Sequence, residues 1–411
     1  MEKPKLIGPF TQLLTMRELP LKGPLADDQL EIHQNAAILT EAGRITAIGD
    51  FDELKKRHTA VKVDEISTPS IGLPGFIDVH THMCSAGSRA RDYTMRIGGT
   101  SYLDIAKAGG GILDTVRQTR AASEDLLTKL LMQRCTRHLQ EGVTTCEVKS
   151  GYGLTVADEL KMLRSINKAN QLHEMDIVPT CLAAHTPPPE FRKNSQAYLQ
   201  LILEELLPQI QKENLAARVD IFIEESAFSR SEAEPFLKAA KAMGFSLAIH
   251  VDQFTAGSSL IACKLGAVSA DHLEASTNKE IAALAQSDTA AVVLPGCSLG
   301  LGLDYAPARK LLDGGASLVI ATDWNPGSAP MGDLLLQAAV MGAAEKLSAA
   351  ETFAAITSRA AAALELSDRG KLSIGKLADL QAYACNDFRE ILYNQGKLKA
   401  TQVWKRGFLI G

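Results

Sequence analysis

Residues 75–93 read GFIDVHTHMCSAGSRARDY, a stretch that changes character halfway along. Its first half is an apolar run typical of a buried β-strand, and it ends in two histidines, His80 and His82. Its second half is a polar loop that contains a glycine and two arginines, Arg89 and Arg91. Two imidazoles at the end of a buried strand mark that strand end as a candidate site.

Strands of the same kind recur along the chain and alternate with amphipathic helical segments. One such segment, residues 155–171, opens with Thr155 and Asp158 at the spacing of a helix cap. Strands that alternate with helices form parallel βαβ units, and eight strands close a (β/α)8 TIM-like barrel. The number of strands alone does not exclude an open doubly wound sheet, which is the alternative. The eight predicted strands are residues 75–82, 143–149, 176–185, 219–226, 245–252, 267–274, 290–296 and 317–324.

The two ends of the chain differ from this central pattern. Residues 28–70 and 371–411 alternate apolar and polar side chains around short turns, which predicts short antiparallel strands. We therefore expect an α/β fold in which a small β-sandwich domain, built from both chain ends, carries the barrel as an insertion. Strong helix formers fill residues 331–366 and predict helices on the barrel exterior. The expected boundaries are 1–72, 73–366 and 367–411.

Composition and charge narrow the class of protein. The formal net charge of −5 lacks the basic excess that nucleic-acid binding requires. No apolar run is long enough for a membrane span or a signal peptide, and the seven cysteines lack a CxxC pair. We therefore expect a cytoplasmic protein with reduced cysteines and a small-molecule substrate, without nucleic-acid or membrane partners. A homodimer is compatible with the helix-rich face at 331–366.

Five of the nine histidines lie at or near the C-terminal ends of predicted strands, the face where barrel active sites form. These five are His80, His82, His185, His250 and His272, and Asp323 takes the matching place on the eighth strand. One such histidine alone is more often a hydrogen-bonded core residue, but five at one rim favour a site. The other four, which are His33, His58, His138 and His173, are expected to be ordinary surface or half-buried residues.

Four of the strand-end residues form a suitable set of metal ligands, namely His80, His82, His250 and Asp323. Side chains two residues apart on a strand point to the same face, with Cα atoms about 7 Å apart, so both imidazoles of the first strand reach one ion. Three nitrogens and a carboxylate suit zinc or iron rather than calcium or magnesium. We expect one zinc or iron ion per subunit, which lowers the pKa of a water molecule and generates the nucleophile.

Several stretches together resemble the amidohydrolase superfamily of metal-dependent hydrolases. They are LPGFIDVHTH (73–82), the histidines of the fifth and sixth strands, ATD (321–323) and GKLSIGKLADLQAY (370–383). A more specific resemblance, to the imidazolonepropionase family, rests on further stretches that occur in order along the barrel. They are HTHMCSAGSRARDY (80–93), GGGILDTVRQTR (109–120), EVKSGYGL (147–154), AAHTPPPEF (183–191) and TDWNPGS (322–328).

The resemblance implies an activity and a set of residue roles. The activity is hydrolytic ring opening of 4-imidazolone-5-propanoate to N-formimidoyl-L-glutamate in histidine degradation. The family's metal ligands agree with the four derived above, and Asp323 and His272 become the residues that move the proton and orient the water. The implied substrate contacts are Arg89, Tyr152, His185, Gln253, Asn325, Gly327 and Ser328. For Arg89 the alternative is a loop salt bridge, for Tyr152 packing over the rim, and for Gly327 a simple turn.

Two residues bear on the competing hypotheses. Gln253 stands three residues after His250, where deaminase branches of the superfamily carry a glutamate, and an amide cannot shuttle protons at neutral pH. Lys149 is expected to be structural rather than a carboxylated bridge between two metals, so the site is expected to be mononuclear. The alternatives are another cyclic amidohydrolase or aminohydrolase on this scaffold, and a non-catalytic barrel without metal, although all four ligands are present.

Overall fold

The computed structural model describes residues 4–100, 104–105 and 108–410. Strands from both chain ends form one mixed sheet, as expected, and β1 lies between β5 and β2 in its interior. The sheet comprises β1 (Lys5–Leu14), β2 (Ile32–Glu41), β3 (Arg44–Asp50), β4 (Lys62–Glu65), β5 (Ile71–Pro74), β14 (Leu380–Tyr383), β15 (Gln402–Lys405) and β16 (Phe408–Leu409).

Two details of this sheet differ from the prediction. The strand β1 lies outside the predicted flanking strands, and both β4 and β5 pair with it in parallel rather than antiparallel. A short helix, α1 (Phe51–Arg57), connects β3 to β4, and such a crossover is what parallel pairing requires. An apolar cluster that includes Phe10 and Trp404 packs one chain end against the other.

The centre of the molecule is a ring of eight parallel strands, each hydrogen-bonded to the next in chain order. They coincide with the eight predicted strands, so the barrel is confirmed and the open doubly wound sheet is wrong. The strands are β6 (Phe76–Asp78), β7 (Val143–Lys149), β8 (Asp176–Ala184), β9 (Arg218–Ile221), β10 (Ser246–Val251), β11 (Ser269–His272), β12 (Ala290–Val293) and β13 (Ser317–Ile320).

The ring closes between the first and eighth strands, just beyond their assigned ends. The N–H of Asp323 donates to the carbonyl of His80 at 3.0 Å, and the N–H of His82 donates to the carbonyl of Trp324 at 3.0 Å. Thr81 and Trp324 form a parallel bridge at the same place. The seam of the barrel therefore runs through residues predicted to bind the metal.

Helices surround the ring and bury its outer face in the main apolar core. The predicted helix at 155–171 is confirmed, because the Thr155 hydroxyl accepts a hydrogen bond from the N–H of Asp158 at its start. Within the described residues, no helix combines the length and the apolar character needed to cross a bilayer. The remaining helices are α2 (Ala90–Ile97), α3 (Ile112–Ala121), α4 (Glu124–Gln140), α5 (Val156–Leu172), α6 (Ser195–Leu201), α7 (Leu207–Glu213), α8 (Arg230–Ala242), α9 (Ser259–Leu265), α10 (Asn278–Gln286), α11 (Pro295–Leu301), α12 (Ala308–Gly314), α13 (Leu334–Glu345), α14 (Ala349–Ala355), α15 (Ser358–Ala363) and α16 (Arg389–Tyr393).

Candidate active site

The four predicted metal ligands meet at the C-terminal mouth of the barrel. Nε2 of His82 lies 3.3 Å from Nε2 of His80 and 3.4 Å from Nε2 of His250. Oδ1 of Asp323 lies 3.3 Å from Nε2 of His82 and 3.6 Å from Nε2 of His80. All four side chains are buried. Three imidazole nitrogens and one carboxylate oxygen therefore face a common point.

Two buried carboxylates orient two of these imidazoles. Nδ1 of His80 lies 2.6 Å from Oδ2 of Asp271, and Nδ1 of His250 lies 2.9 Å from Oδ2 of Asp220. Because a carboxylate accepts, Nδ1 of His80 donates its hydrogen to Asp271, and its Nε2 turns a lone pair toward the common point. Nδ1 of His250 lies at ion-pair distance from Asp220 without the geometry of a hydrogen bond. Burial lowers the pKa of His80 well below its usual range and that of His250 to about 4, so both rings are neutral at neutral pH.

Converging lone pairs repel one another unless a cation lies between them. One hydrogen on Nε2 of His82 can serve a single acceptor, and it faces two imidazole nitrogens and the Asp323 carboxylate at hydrogen-bonding distance or slightly beyond. Neutral imidazoles with one carboxylate are a donor set of transition-metal sites. The residues present therefore fit a divalent metal ion.

Lys149 lies behind the imidazoles as a buried cation among three carboxylates. Its Nζ lies 2.8 Å from Oε1 of Glu147, 2.9 Å from Oδ2 of Asp220 and 3.9 Å from Oδ2 of Asp271. Burial opposes its protonation, but these carboxylates raise the pKa of Lys149, so the ammonium stays charged. Lys149 thus offsets part of the negative charge of Asp220 and Asp271, the carboxylates behind His250 and His80.

Asp323 and the turn after it form one hydrogen-bonded unit. Nδ2 of Asn325 donates to Oδ2 of Asp323 at 2.9 Å, which leaves Oδ1 facing the imidazoles. Oδ1 of Asn325 accepts from the N–H groups of Gly327 and Ser328 at 2.7 and 2.8 Å. The backbone of Asp323 has φ +49°, a region uncommon for residues other than glycine. The three predicted contact residues of this turn therefore lie beside Asp323, and Asn325 positions its carboxylate.

His272 and Gln253 lie next to the imidazole cluster. The ring centroid of His272 is 5.4 Å from that of His250 and 6.0 Å from that of His80. Gln253 donates through Nε2 to Sγ of Cys297 at 3.2 Å. Glu224 fixes the segment that follows, because its Oε1 accepts from the N–H groups of residues 254 and 255 at 2.8 and 3.0 Å.

A cavity of about 490 Å³ extends from His82 past Arg89 to Gly327. Nε of Arg89 donates to Oδ2 of Asp92 at 2.7 Å, and among the described residues its Nη groups make no hydrogen bond. A Cβ at position 327 would lie 2.8 Å from Nη1 of Arg89, so glycine leaves room for the guanidinium. Two further arginines line the cavity, but Arg134 and Arg137 donate to backbone carbonyls of residues 83, 85 and 331.

Tyr152 and His185 form the wall beside His82. The ring of His185 stacks on that of His82 with centroids 5.2 Å apart, and the Tyr152 ring lies 5.9 Å from His82. Nδ1 of His185 donates to the carbonyl of Gly151 at 3.0 Å, so Nε2 carries the lone pair. Burial lowers the pKa of His185 well below its usual range, which keeps the ring neutral.

A buried glutamate that the sequence analysis missed holds this wall in place. The carboxylate of Glu159 accepts from the N–H groups of Gly151, Gly153 and Leu154 at 3.0, 2.7 and 2.7 Å. Asp220, Asp271 and Glu224 were missed in the same way. The signal that marks Asp220 and Asp271 is an acidic residue inside an otherwise apolar strand.

The prediction for His138 is wrong, because this residue is fully buried. Its Nε2 lies 3.0 Å from Oδ2 of Asp78, and its ring packs edge-on against Trp324 with centroids 4.8 Å apart. Thr322 donates to the same carboxylate through its hydroxyl at 2.5 Å and to Oδ1 through its N–H at 3.1 Å. His138 is therefore part of a hydrogen-bonded core that joins β6, β13 and α4.

The sequence profile of the amidohydrolase family matches residues 100–408 of this chain. Among curated proteins, the imidazolonepropionase of Deinococcus radiodurans is 41% identical over 399 residues, which cover 97% of each chain. The imidazolonepropionase of Myxococcus xanthus is 40% identical over 386 residues, which cover 93% of this chain and 91% of the relative.

Solved structures agree on the fold. A triazine hydrolase from Arthrobacter aurescens superposes with a TM-score of 0.72 and 18% identity, covering 99% of this chain and 94% of that one. An Aspergillus niger ochratoxinase gives a TM-score of 0.71 and 16% identity over 99% and 95% of the two chains. The profile match and the near-full-length relatives lead to one conclusion: this chain belongs to the amidohydrolase family and, within it, to the imidazolonepropionases.

Proposed function

We propose that this enzyme hydrolyses 4-imidazolone-5-propanoate to N-formimidoyl-L-glutamate. The observation that carries the proposal is that one cavity of about 490 Å³ holds both His82 of the imidazole cluster and the guanidinium of Arg89. A reactive centre and a carboxylate-binding group in one space suit a small cyclic amide with an acidic side chain. The full-length similarity to imidazolonepropionases supports the same substrate.

The amidohydrolase family implies a metal ion, and we infer one zinc or iron ion held by His80, His82, His250 and Asp323. When bound, that ion would supply a water molecule of lowered pKa and would polarise the ring carbonyl. Asp271 holds the His80 ring in the metal-binding tautomer through a hydrogen bond, and Asp220 lies beside Nδ1 of His250. Lys149 offsets part of the charge of these carboxylates and remains an ammonium, which supports a mononuclear site.

Substrate binding in this proposal begins at Arg89, whose Nη groups make no hydrogen bond to the described residues and take the propionate. The ring then lies against the wall formed by Tyr152 and His185, where Nε2 of His185 accepts a hydrogen bond from a ring N–H. Gln253 offers a further amide contact without joining proton transfer. Gly327 bounds the cavity beside Arg89, and Ser328 follows it on the turn that Asn325 stabilises.

Hydrolysis adds a hydroxyl to the ring carbonyl carbon and a hydrogen to the leaving ring nitrogen. Oδ1 of Asp323 points into the cluster and takes the proton of the attacking water. The same carboxyl then delivers that proton to the nitrogen as the C–N bond breaks. His272, beside His250, orients the water and stabilises the charge that develops on the carbonyl oxygen.

We also propose the domain boundaries 1–72, 73–366 and 367–411. In this proposal the protein is cytoplasmic, can form a homodimer, and binds neither nucleic acid nor membranes. All seven cysteines are free, which supports a reducing compartment.

The deciding experiment is a turnover assay of the purified, metal-loaded enzyme with imidazolone propionate, cyclic ureas and aminated bases. We expect ring opening of imidazolone propionate, and turnover confined to an aminated base or a cyclic urea would overturn the proposal. Arg89→Ala should raise KM by about 10- to 100-fold, because a charged hydrogen bond contributes roughly 1.5–3 kcal/mol. Arg134 lines the same cavity, so Arg134→Ala is the matched control, and we expect it to change KM less than Arg89→Ala does.

A further inference from the structure

We propose that His272, Glu274 and Cys297 form a second, inhibitory site for a thiophilic divalent cation such as zinc or cadmium. None of the three belongs to the ligand set of the first site. They come from the end of β11, from the residues after it, and from the first turn of α11. Binding itself is independent of the substrate, whereas the inhibition rests on the proposed function.

The three side chains are close enough to share one cation. One ligand atom from each, a ring nitrogen, a carboxylate oxygen and a thiol sulfur, all lie within 4.8 Å of one another. Nδ1 of His272 lies 3.4 Å from Oε2 of Glu274. Positive φ angles of 92° at His272 and 73° at Leu273 bend the chain here and bring Glu274 back toward the imidazole.

Only one oxygen of the Glu274 carboxylate has hydrogen-bond partners among the described residues, and both of those bonds are long. Its side chain is 7% exposed, yet Oε2 accepts no hydrogen bond from the part of the chain that the structure describes. Oε1 has long contacts, 3.5 Å to Nδ1 of His272 and 3.4 Å to Oγ of Ser298. Buried carboxylates usually make shorter, charge-assisted bonds, so this one is poised for a cation.

The ligand chemistry selects the class of cation. A thiolate, an imidazole and a carboxylate suit zinc and cadmium, and a water molecule can complete a tetrahedral shell. Cys297 is buried and binds as the thiolate, so its proton leaves to solvent when the cation enters. The first site has no thiolate, so a thiophilic probe distinguishes the two.

A cation in the second site would affect His272 and Gln253, the two side chains that lie next to the first site. A cation at this position holds the His272 ring in place and withdraws the Cys297 sulfur from its contact with Gln253. His272 is then unable to adjust to the water that it orients, and Gln253 loses an anchoring partner. We therefore expect turnover to fall as the second site fills.

The test titrates cadmium into enzyme whose first site already holds zinc. Elemental analysis counts both metals per subunit, and ultraviolet absorption reports the thiolate-to-cadmium charge-transfer band. We expect one cadmium per subunit with zinc retained, the appearance of that band, and loss of kcat over the same cadmium range. Cys297→Ser should abolish the band, and Glu274→Gln should weaken cadmium binding by about tenfold or more.

Cys146→Ala is the matched control, because Cys146 is buried beside another histidine and another carboxylate. It should keep the band and the second equivalent. Cadmium that only displaces zinc, or a band that persists in Cys297→Ser, would overturn the second site. If Cys297→Ser loses both the band and the bound cadmium, the second site is supported even when the enzyme turns over a different substrate. Failure of the proposed function is therefore distinguishable from failure of the second site.

Discussion

Two buried clusters in the same barrel contain similar residues and differ in how those residues pair. In the lower cluster, His138 meets the carboxylate of Asp78 at 3.0 Å, and Thr322 donates twice to the same group. In the upper cluster, the Nε2 atoms of His80, His82 and His250 face one another at 3.3 and 3.4 Å. In the lower cluster donors meet acceptors, whereas in the upper cluster one hydrogen on His82 faces three acceptors. Residue type and burial therefore do not distinguish the two clusters. The pairing of donors with acceptors marks only the upper cluster as a candidate metal site.

The largest effect is expected from removing a nitrogen of the upper cluster. His80→Ala should lose the metal and reduce kcat/KM by about a thousandfold or more, because a bound metal contributes several kcal/mol to the transition state. Elemental analysis and steady-state kinetics on the same preparation check both. Full metal content and activity in this variant would contradict the ligand assignment.

The next effect concerns the charge that supports the upper cluster. Lys149→Met leaves Glu147, Asp220 and Asp271 without their buried cation, which should destabilise the fold by about 3–5 kcal/mol. Metal affinity should weaken about 10- to 100-fold, because Asp220 and Asp271 lose the ammonium that fixes their positions behind His250 and His80. Competition with a chelator and thermal unfolding measure the two effects. The control is Lys161→Met, which breaks a partly exposed pair with Asp158. It should change both the metal affinity and the free energy of unfolding much less than Lys149→Met does.

A change in the lower cluster should affect stability and not metal content. His138→Leu leaves the Asp78 carboxylate with one partner fewer, which should cost about 1–3 kcal/mol in the free energy of unfolding. Denaturant unfolding measures that loss, and elemental analysis should still find the metal. His58→Leu, at the half-buried end of α1, is the control. Metal loss in His138→Leu would remove the distinction between the two clusters.

The smallest effect is expected at a partly exposed pair far from both clusters. A hydrogen bond from Arg17 lowers the pKa of Glu31 to about 2, from an ordinary value of 4.5. A lowered carboxyl pKa contributes stability above pH 4.5 that is lost as the pH falls toward 2. Solvent screens this pair, so Glu31→Gln should cost about 0.5 kcal/mol at neutral pH, with a difference that shrinks on acidification. A difference that grows at low pH would contradict the assignment.

The strands and the convergence of the strand-end histidines with Asp323 could be predicted because both follow from local pattern. Apolar runs define the strands, and residues at their C-terminal ends converge in any closed parallel barrel. The supporting carboxylates could not be predicted, because Asp220 and Asp271 act on histidines distant in sequence. The burial of His138 could not be predicted for the same reason. The sequence of its helix does not show that Asp78, which is distant in sequence, lies opposite it. The strand β1 was missed because the predicted flanking strands began only at residue 28.

The seam of the barrel has a consequence for biosynthesis. His80 and His82 leave the ribosome with the first strand, whereas Asp323 follows the last, and backbone hydrogen bonds join the two ends. A nascent chain therefore carries two of the four proposed ligands through nearly the whole barrel before Asp323 is made. Since the ligand set is complete only when the eighth strand docks on the first, stable capture of the ion marks the end of folding.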